Sequence, residues 1–268
     1  MASTDIVSTQ HVTSADGTRI TYDLLGQGPP LIVVGGLLCD RRRTEPVARA
    51  LAAFATVINV DRRGRGDSGD TGPYSVDREI EDLAAVVDAN GGRAAVYGHS
   101  SGAGLALRAA AHGLPLTRLV LHEPPYGGDD EESTSGARAL ARRVVTAIAD
   151  GRRADAIDVF MTAAGVPAEM VEGMRTDPRM LAMSHTMRYD IEVMDEIERG
   201  GTVPTDMVRA IQVPTLVLAG GASPDFFRDT ATRIAALLSN GRYEVLDGEG
   251  HDARPERVAR VVGAFIAA

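Results

Sequence analysis

Gly98-His99-Ser100-Ser101-Gly102 reads G-x-S-x-G. The apolar run Arg93-Ala94-Ala95-Val96-Tyr97 precedes it, and an alanine-rich stretch, Ala103 to Ala111, follows. Strand, sharp turn and helix in that order form the context of a nucleophile elbow. Glycines on both sides of such a turn remove the Cβ atoms that would strike the neighbouring strand and helix. Ser100 is then expected at the top of a sheet, its Oγ exposed at a helix N-terminus that favours developing negative charge.

Working outward, Leu31 to Val34 is a short apolar run of the kind buried on both faces of a sheet. Val57 to Val60, Ala94 to Tyr97, Leu119 to Leu121, Thr215 to Leu218 and Tyr243 to Leu246 repeat the pattern. Helical periods lie between them at Thr44 to Ala53, Ser75 to Asn90, Ser101 to His112, Asp225 to Ser239 and Glu256 to Ala267. This alternation predicts an α/β fold, a mostly parallel sheet with helices on both faces. Gln10 to Leu25 reads as a hairpin about Asp16-Gly17.

One region breaks the alternation. Residues 127–207 carry no strand signal. Gly127 to Gly136 is acidic, rich in Gly and Ser, and reads as a loop. Helical patches follow at Ala137 to Asp150, Arg153 to Ala164, Ala168 to Arg175, Pro178 to Tyr189 and Asp190 to Arg199. The expected organisation is a core of residues 1–126 and 208–268 with a helical insertion at 127–207. Met161, Met170, Met174, Met180, Met183, Met187, Met194 and Met207 fall in it, as packing residues or as the adaptable lining of an apolar ligand surface.

Bulk properties narrow the partners. A chain of 268 residues can bury a large core. A net charge of -9 argues against nucleic acid as a partner. Arg41-Arg42-Arg43 reads as a solvated face. The single cysteine, Cys39, leaves no disulfide framework, and the six histidines show no metal-ligand spacing. No cofactor or metal is implied. Met1 to Gln10 is polar and lacks a basic-then-apolar signal pattern, and no apolar run has the length of a membrane span. The expectation is a soluble cytoplasmic protein acting on a small molecule.

His251 follows the last expected strand in Asp247-Gly248-Glu249-Gly250-His251-Asp252, on a glycine-rich loop at the sheet's carboxyl edge. With Asp61-Arg62-Arg63-Gly64-Arg65-Gly66-Asp67-Ser68, the elbow, Val213-Pro214-Thr215-Leu216-Val217-Leu218-Ala219-Gly220 and Gly248-Glu249-Gly250-His251 in this order, the chain resembles the α/β-hydrolase superfamily over nearly its whole length. The resemblance implies that the insertion is a cap, and that Asp61 to Ser68 is a structural turn with a satisfied charged pair. Ser100 is the expected nucleophile and His251 the base that takes its proton. His99 is expected to turn away from the chemistry, His112 and His122 to pack, and His185 to lie in the cap within possible reach of substrate.

The third catalytic group departs from the family pattern. Gly220-Gly221-Ala222-Ser223 places serine where the family carries an acid after a strand. Two replacements remain open, Asp225 after Pro224 and Glu123 in His122-Glu123-Pro124-Pro125, of which Glu123 is preferred. A glutamate at a strand's carboxyl end, stiffened by two prolines, is costly unless paired. The oxyanion donors are expected to be the backbone N–H groups of Ser101 and, in the loop Gly35-Gly36-Leu37-Leu38, of Leu37. The reading is a serine hydrolase, esterase-like, for a small, largely apolar ester or thioester. The alternatives are C–C hydrolysis, lyase or perhydrolase chemistry at the same site, or a non-catalytic ligand-binding member of the fold.

Overall fold

A computed structural model describes residues 6–268, with the backbone alone for residues 6 and 7. Half of the polar N-terminal stretch, residues 1–5, therefore lies outside the described residues. The described chain begins with β1 (Ile6–Thr13), β2 (Arg19–Leu25), β3 (Pro30–Val34), α1 (Arg41–Leu51), β4 (Thr56–Val60) and α2 (Val76–Ala89). Next come β5 (Ala94–His99), α3 (Ser101–Ala111) and β6 (Leu116–His122). The strands form an eight-stranded sheet in the order β1-β2-β4-β3-β5-β6-β7-β8, completed by β7 (Thr215–Gly220) and β8 (Gly241–Leu246). β1 and β2 pair antiparallel, as do β2 and β4, and every later pair is parallel. The hairpin turns where expected, with Ser14 N–H donating to Thr18 O at 2.8 Å.

The strand order reverses at β3. From β3 the chain moves outward to β4, then returns past β3 to β5. At such a switch point the loops leaving neighbouring strands diverge, and a crevice opens at their carboxyl ends. The loop after β3 carries Gly35 to Leu38, and the turn after β5 carries Ser100. Topology alone brings these two segments together.

Two apolar layers sandwich the sheet. One face packs Ile32, Val34, Ile58, Val96, Leu119 and Leu121 beneath α2 and α3. The other packs Leu31, Val33, Val57, Val120 and Leu218 beneath α1 and α12 (Pro255–Ala267). Alternate residues of one strand thus enter opposite layers, as the period of a strand requires.

Between β6 and β7 the chain is helical: α4 (Glu131–Ala149), α5 (Arg153–Ala163), α6 (Ala168–Thr176), α7 (Pro178–Met183), a 3-10 turn at Ser184–Thr186, α8 (Met187–Met194), α9 (Glu196–Arg199) and α10 (Thr205–Ala210). α11 (Asp225–Leu237) follows β7. A third apolar cluster joins Met161, Met183, Met187 and Ile191 of this insertion to Leu38 of the β3 loop. Most of the insertion's methionines pack, but Met170 is 60% exposed.

Three details correct the sequence reading. α4 starts at Glu131, inside the stretch read as a loop, because Asp130 caps it by accepting from Ser133 N–H at 2.9 Å. Glu131 and Glu132 then sit in the first turn, where the helix dipole favours acids. The Arg41 run is a solvated face only in part: Arg42 and Arg43 are exposed, but Arg41 is not. Arg41 is 12% exposed and pairs with Asp23, Asp61 and Asp67, while Asp40 caps α1. The helical pattern read as continuous over Asp190 to Arg199 is broken at Asp195, which has a φ of 56°.

Candidate active site

The elbow is tight for reasons visible atom by atom. Ser100 has a φ of 57° and a ψ of -128°, a conformation L-residues rarely adopt. A Cβ on Gly98 would stand 2.5 Å from Gly102 O, and one on Gly102 would collide with Val34 O. Only glycine lets the strand, the turn and α3 close up around Ser100. Leu38, at a φ of 54°, and Glu123, at 49°, also hold a positive φ that L-residues rarely adopt. Three of the four non-glycine residues at positive φ among the described residues therefore belong to the segments that converge here. Strain of this kind persists where surrounding structure over-determines it, and it gathers at functional sites.

Glu123 emerges from β6 fully buried. Its Oε1 accepts the Gly220 N–H at 2.6 Å, and its Oε2 lies 2.5 Å from His251 Nδ1. Burial pushes the Glu123 carboxyl upward, but its bonds to His251 and Gly220 outweigh that and hold it below the usual value. Ser223, the residue in the family's acid slot, is buried facing the same carboxylate without completing a hydrogen bond of good geometry. Asp225 is elsewhere. Its side chain is 85% exposed and pairs with Arg228 at the start of α11.

The His251 side chain is 38% exposed. The ring of Phe227 stacks 4.9 Å from it and that of His99 lies 4.6 Å away. His99 does not turn away from the chemistry. Its Nε2 is 3.0 Å from the His251 carbonyl, which can only accept, so this nitrogen carries the proton. Desolvation, with the nearby His251, lowers the His99 pKa to about 4. Neutral His99 thus pins the backbone of His251 without competing for protons. His122 packs as expected, 1% exposed, with Nδ1 2.7 Å from Tyr97 Oη. His112 bonds to the Arg108 carbonyl, and His185 bonds to Asp70 at 3.0 Å.

On the other side of the elbow stands a group that sequence reasoning missed. Asp190 of α8, 2% exposed, accepts from Ser101 Oγ at 2.7 Å. It also pairs with Arg62 and Arg65, each at 2.6 Å. Arg62 forks onto Glu79 through two bonds of 2.7 Å, and Tyr74 Oη donates to that carboxylate at 2.8 Å. Arg65 Nη1 donates to the Gly36 carbonyl at 2.5 Å, and its Nε to Thr186 Oγ1 at 3.1 Å. The Asp61 to Ser68 segment is thus more than a turn with one satisfied pair. Asp190 itself is an acid on a helix, with no local sign that its partners lie 89 to 128 residues upstream.

No hydrogen bond engages the Leu37 or Ser101 backbone N–H among the described residues. Gly36, whose carbonyl shares a peptide plane with the Leu37 N–H, abuts Ser100. A Cβ there would lie 2.8 Å from Ser100 Cβ. No group of three or more His, Cys, Asp or Glu side chains among the described residues is arranged to hold a metal ion. No helix among them is long and apolar enough to cross a membrane.

Comparison with known proteins shows the family. A solved α/β hydrolase from Sphaerobacter thermophilus DSM 20745 is 47% identical, with a TM-score of 0.84 covering 96% of this chain and 99% of that one. The 2-(acetamidomethylene)succinate hydrolase of Mesorhizobium japonicum is 27% identical over 98% of each chain. The N-formylmaleamate deformylase of Pseudomonas putida is 39% identical over a shorter stretch, 43% of this chain and 45% of that protein. The family model described as "Alpha/beta hydrolase family" matches residues 31–261, and this chain belongs to that family of enzymes.

Proposed function

We propose that this protein is a serine-dependent hydrolase of a small, largely apolar ester or thioester, working through an acyl-enzyme on Ser100. The observation that carries the reading is the 2.5 Å contact between His251 Nδ1 and the fully buried Glu123 carboxylate. With Nδ1–H directed at Glu123, His251 Nε2 keeps its lone pair for a proton. Ser100 Oγ attacks the carbonyl carbon and its proton passes to Nε2. The tetrahedral oxyanion sits between the Leu37 and Ser101 N–H groups. The bond from carbon to the leaving oxygen or sulfur then breaks, and His251 returns its proton to the leaving group. Water, deprotonated by His251, repeats the sequence and frees the acid. Residues 127–207 act as the cap over this site. Leu37 and Leu38, backed by Met183 and Met187, supply its apolar character.

A second reading, hydrolysis of a small N-acyl compound on the same groups, is favoured by the names of the two curated relatives. The test is turnover of p-nitrophenyl acetate beside a simple N-formyl and an N-acetyl enamide. Ester turnover with a burst of one p-nitrophenol per chain supports the acyl-enzyme. Turnover that survives Ser100→Ala contradicts it.

A further inference from the structure

The inference concerns Arg65 and rests on the acyl-enzyme reading above. The Gly36 carbonyl and the Leu37 N–H are two ends of one planar unit. In a trans peptide they point in opposite directions. Whatever grips the carbonyl from one side therefore aims the N–H to the other. Arg65 Nη1 grips it at 2.5 Å, with a weaker second bond from Cys39 N–H at 3.2 Å. The same peptide abuts Ser100, where a Cβ on Gly36 would come within 3.3 Å of Ser100 Oγ.

A guanidinium on a carbonyl also polarises the peptide, which makes its N–H a stronger donor. Arg65 is completely buried, so that effect is not screened by water. Its position is fixed from the insertion, by Asp190 at 2.6 Å and Thr186 at 3.1 Å. Asp190 in turn accepts from Ser101 Oγ, on the residue that carries the second oxyanion donor. One carboxylate of α8 thus braces both donor-bearing residues, Ser101 directly and Leu37 through Arg65. A purely structural ion pair needs only its carboxylate. Here a guanidinium nitrogen is spent on the backbone next to the nucleophile.

We propose that Arg65, held by Asp190, is a positioning residue for the oxyanion hole, aiming and polarising the Gly36–Leu37 peptide. Through it the helical insertion is coupled to transition-state stabilisation.

Arg65→Lys tests this. Lysine keeps the charge beside Asp190 but cannot span Asp190, Thr186 and the Gly36 carbonyl together. With p-nitrophenyl acetate, kcat should fall about 30-fold, below the roughly 10²–10³ of a deleted donor, with KM within about threefold. Phenylboronic acid, whose boron takes the serine oxygen and leaves a boronate oxygen in the hole, should bind weaker by the same factor. A merely structural arginine would lower the melting temperature and leave kcat and boronate affinity of the folded protein unchanged, and that result overturns the proposal. If Arg65→Lys does not fold, Thr186→Val removes the Nε partner with shape conserved. It should weaken the boronate about threefold, and unchanged affinity is again the contrary result. Ser100→Ala runs alongside. If it abolishes turnover while Arg65→Lys behaves as wild type, only the role of Arg65 falls.

Discussion

Two buried carboxylates flank the elbow, and they work in different electrical settings. Glu123 faces one titratable partner, His251, whose ring reaches solvent. Asp190 faces two arginines and a serine hydroxyl, all buried to 3% or less. Both acids are held below the usual carboxylate value against the upward push of burial, Glu123 chiefly by hydrogen bonds and Asp190 chiefly by the charges of Arg65 and Arg62. Arginine does not release its proton in this range, so the Asp190 cluster cannot move a proton and can only hold shape. The histidine beside Glu123 can. On the proposed function, the difference separates a carboxylate that directs chemistry from one that fixes the frame in which chemistry occurs.

The comparison is broken most strongly by neutralising each acid in turn. Glu123→Gln should cut kcat/KM by about 10²–10⁴ at neutral pH, with a smaller stability loss than Asp190→Asn because its charged partner His251 is partly exposed whereas both arginines of Asp190 are buried. Asp190→Asn should do the reverse in emphasis. Removing one partner of a buried pair costs about 3–5 kcal/mol, to be read from chemical denaturation, with the smaller rate loss that follows from a loosened oxyanion loop. If the two variants exchange these signatures, the division of labour is wrong.

A pH experiment sharpens the contrast between the histidines. His99 and His122 are both pushed below the ordinary value of 6.5, first by desolvation. A group depressed in the folded state stays neutral there while the unfolded chain takes up the proton. Stability is therefore full above about pH 6.5 and is progressively lost as pH falls toward the folded value, about 4 for His99. His122→Phe should flatten that slope in urea midpoints measured from pH 7 to 4. A slope of unchanged steepness would count against buried neutral His122.

The smallest effects belong to the hydroxyl and the exposed acid. Ser101→Ala removes one donor to Asp190 and should cost about 1–3 kcal/mol, with catalysis kept within about tenfold because the backbone N–H survives. Asp225→Asn, at an exposed pair, should change stability by under about 0.5 kcal/mol and leave turnover intact. A large loss in Asp225→Asn would reopen the choice of acid.

The parallel strands and the helices between them were legible because each is a local period of apolar residues. The elbow was legible because glycines mark close backbone approach. His251 was found by its loop, and Glu123 was preferred over Asp225 because a rigid, strand-end carboxylate needs a partner. Its φ of 49° was not readable, since tertiary contacts set that angle. Asp190 was invisible for a related reason: its bonds to Arg62, Arg65 and Ser101 are made across the fold, and no spacing along the chain announces them. The start of α4 was misread because acidic and serine residues signal both loops and helix N-termini.

The central claim is that Ser100, activated by His251 and Glu123, is the nucleophile. Intact mass after treatment with a fluorophosphonate tests it most directly. The account predicts one adduct per chain in the wild type and in Ser101→Ala, none in Ser100→Ala, and much slower labelling in Glu123→Gln than in Asp225→Asn. An adduct that persists in Ser100→Ala, or labelling of Glu123→Gln at the wild-type rate, would contradict it.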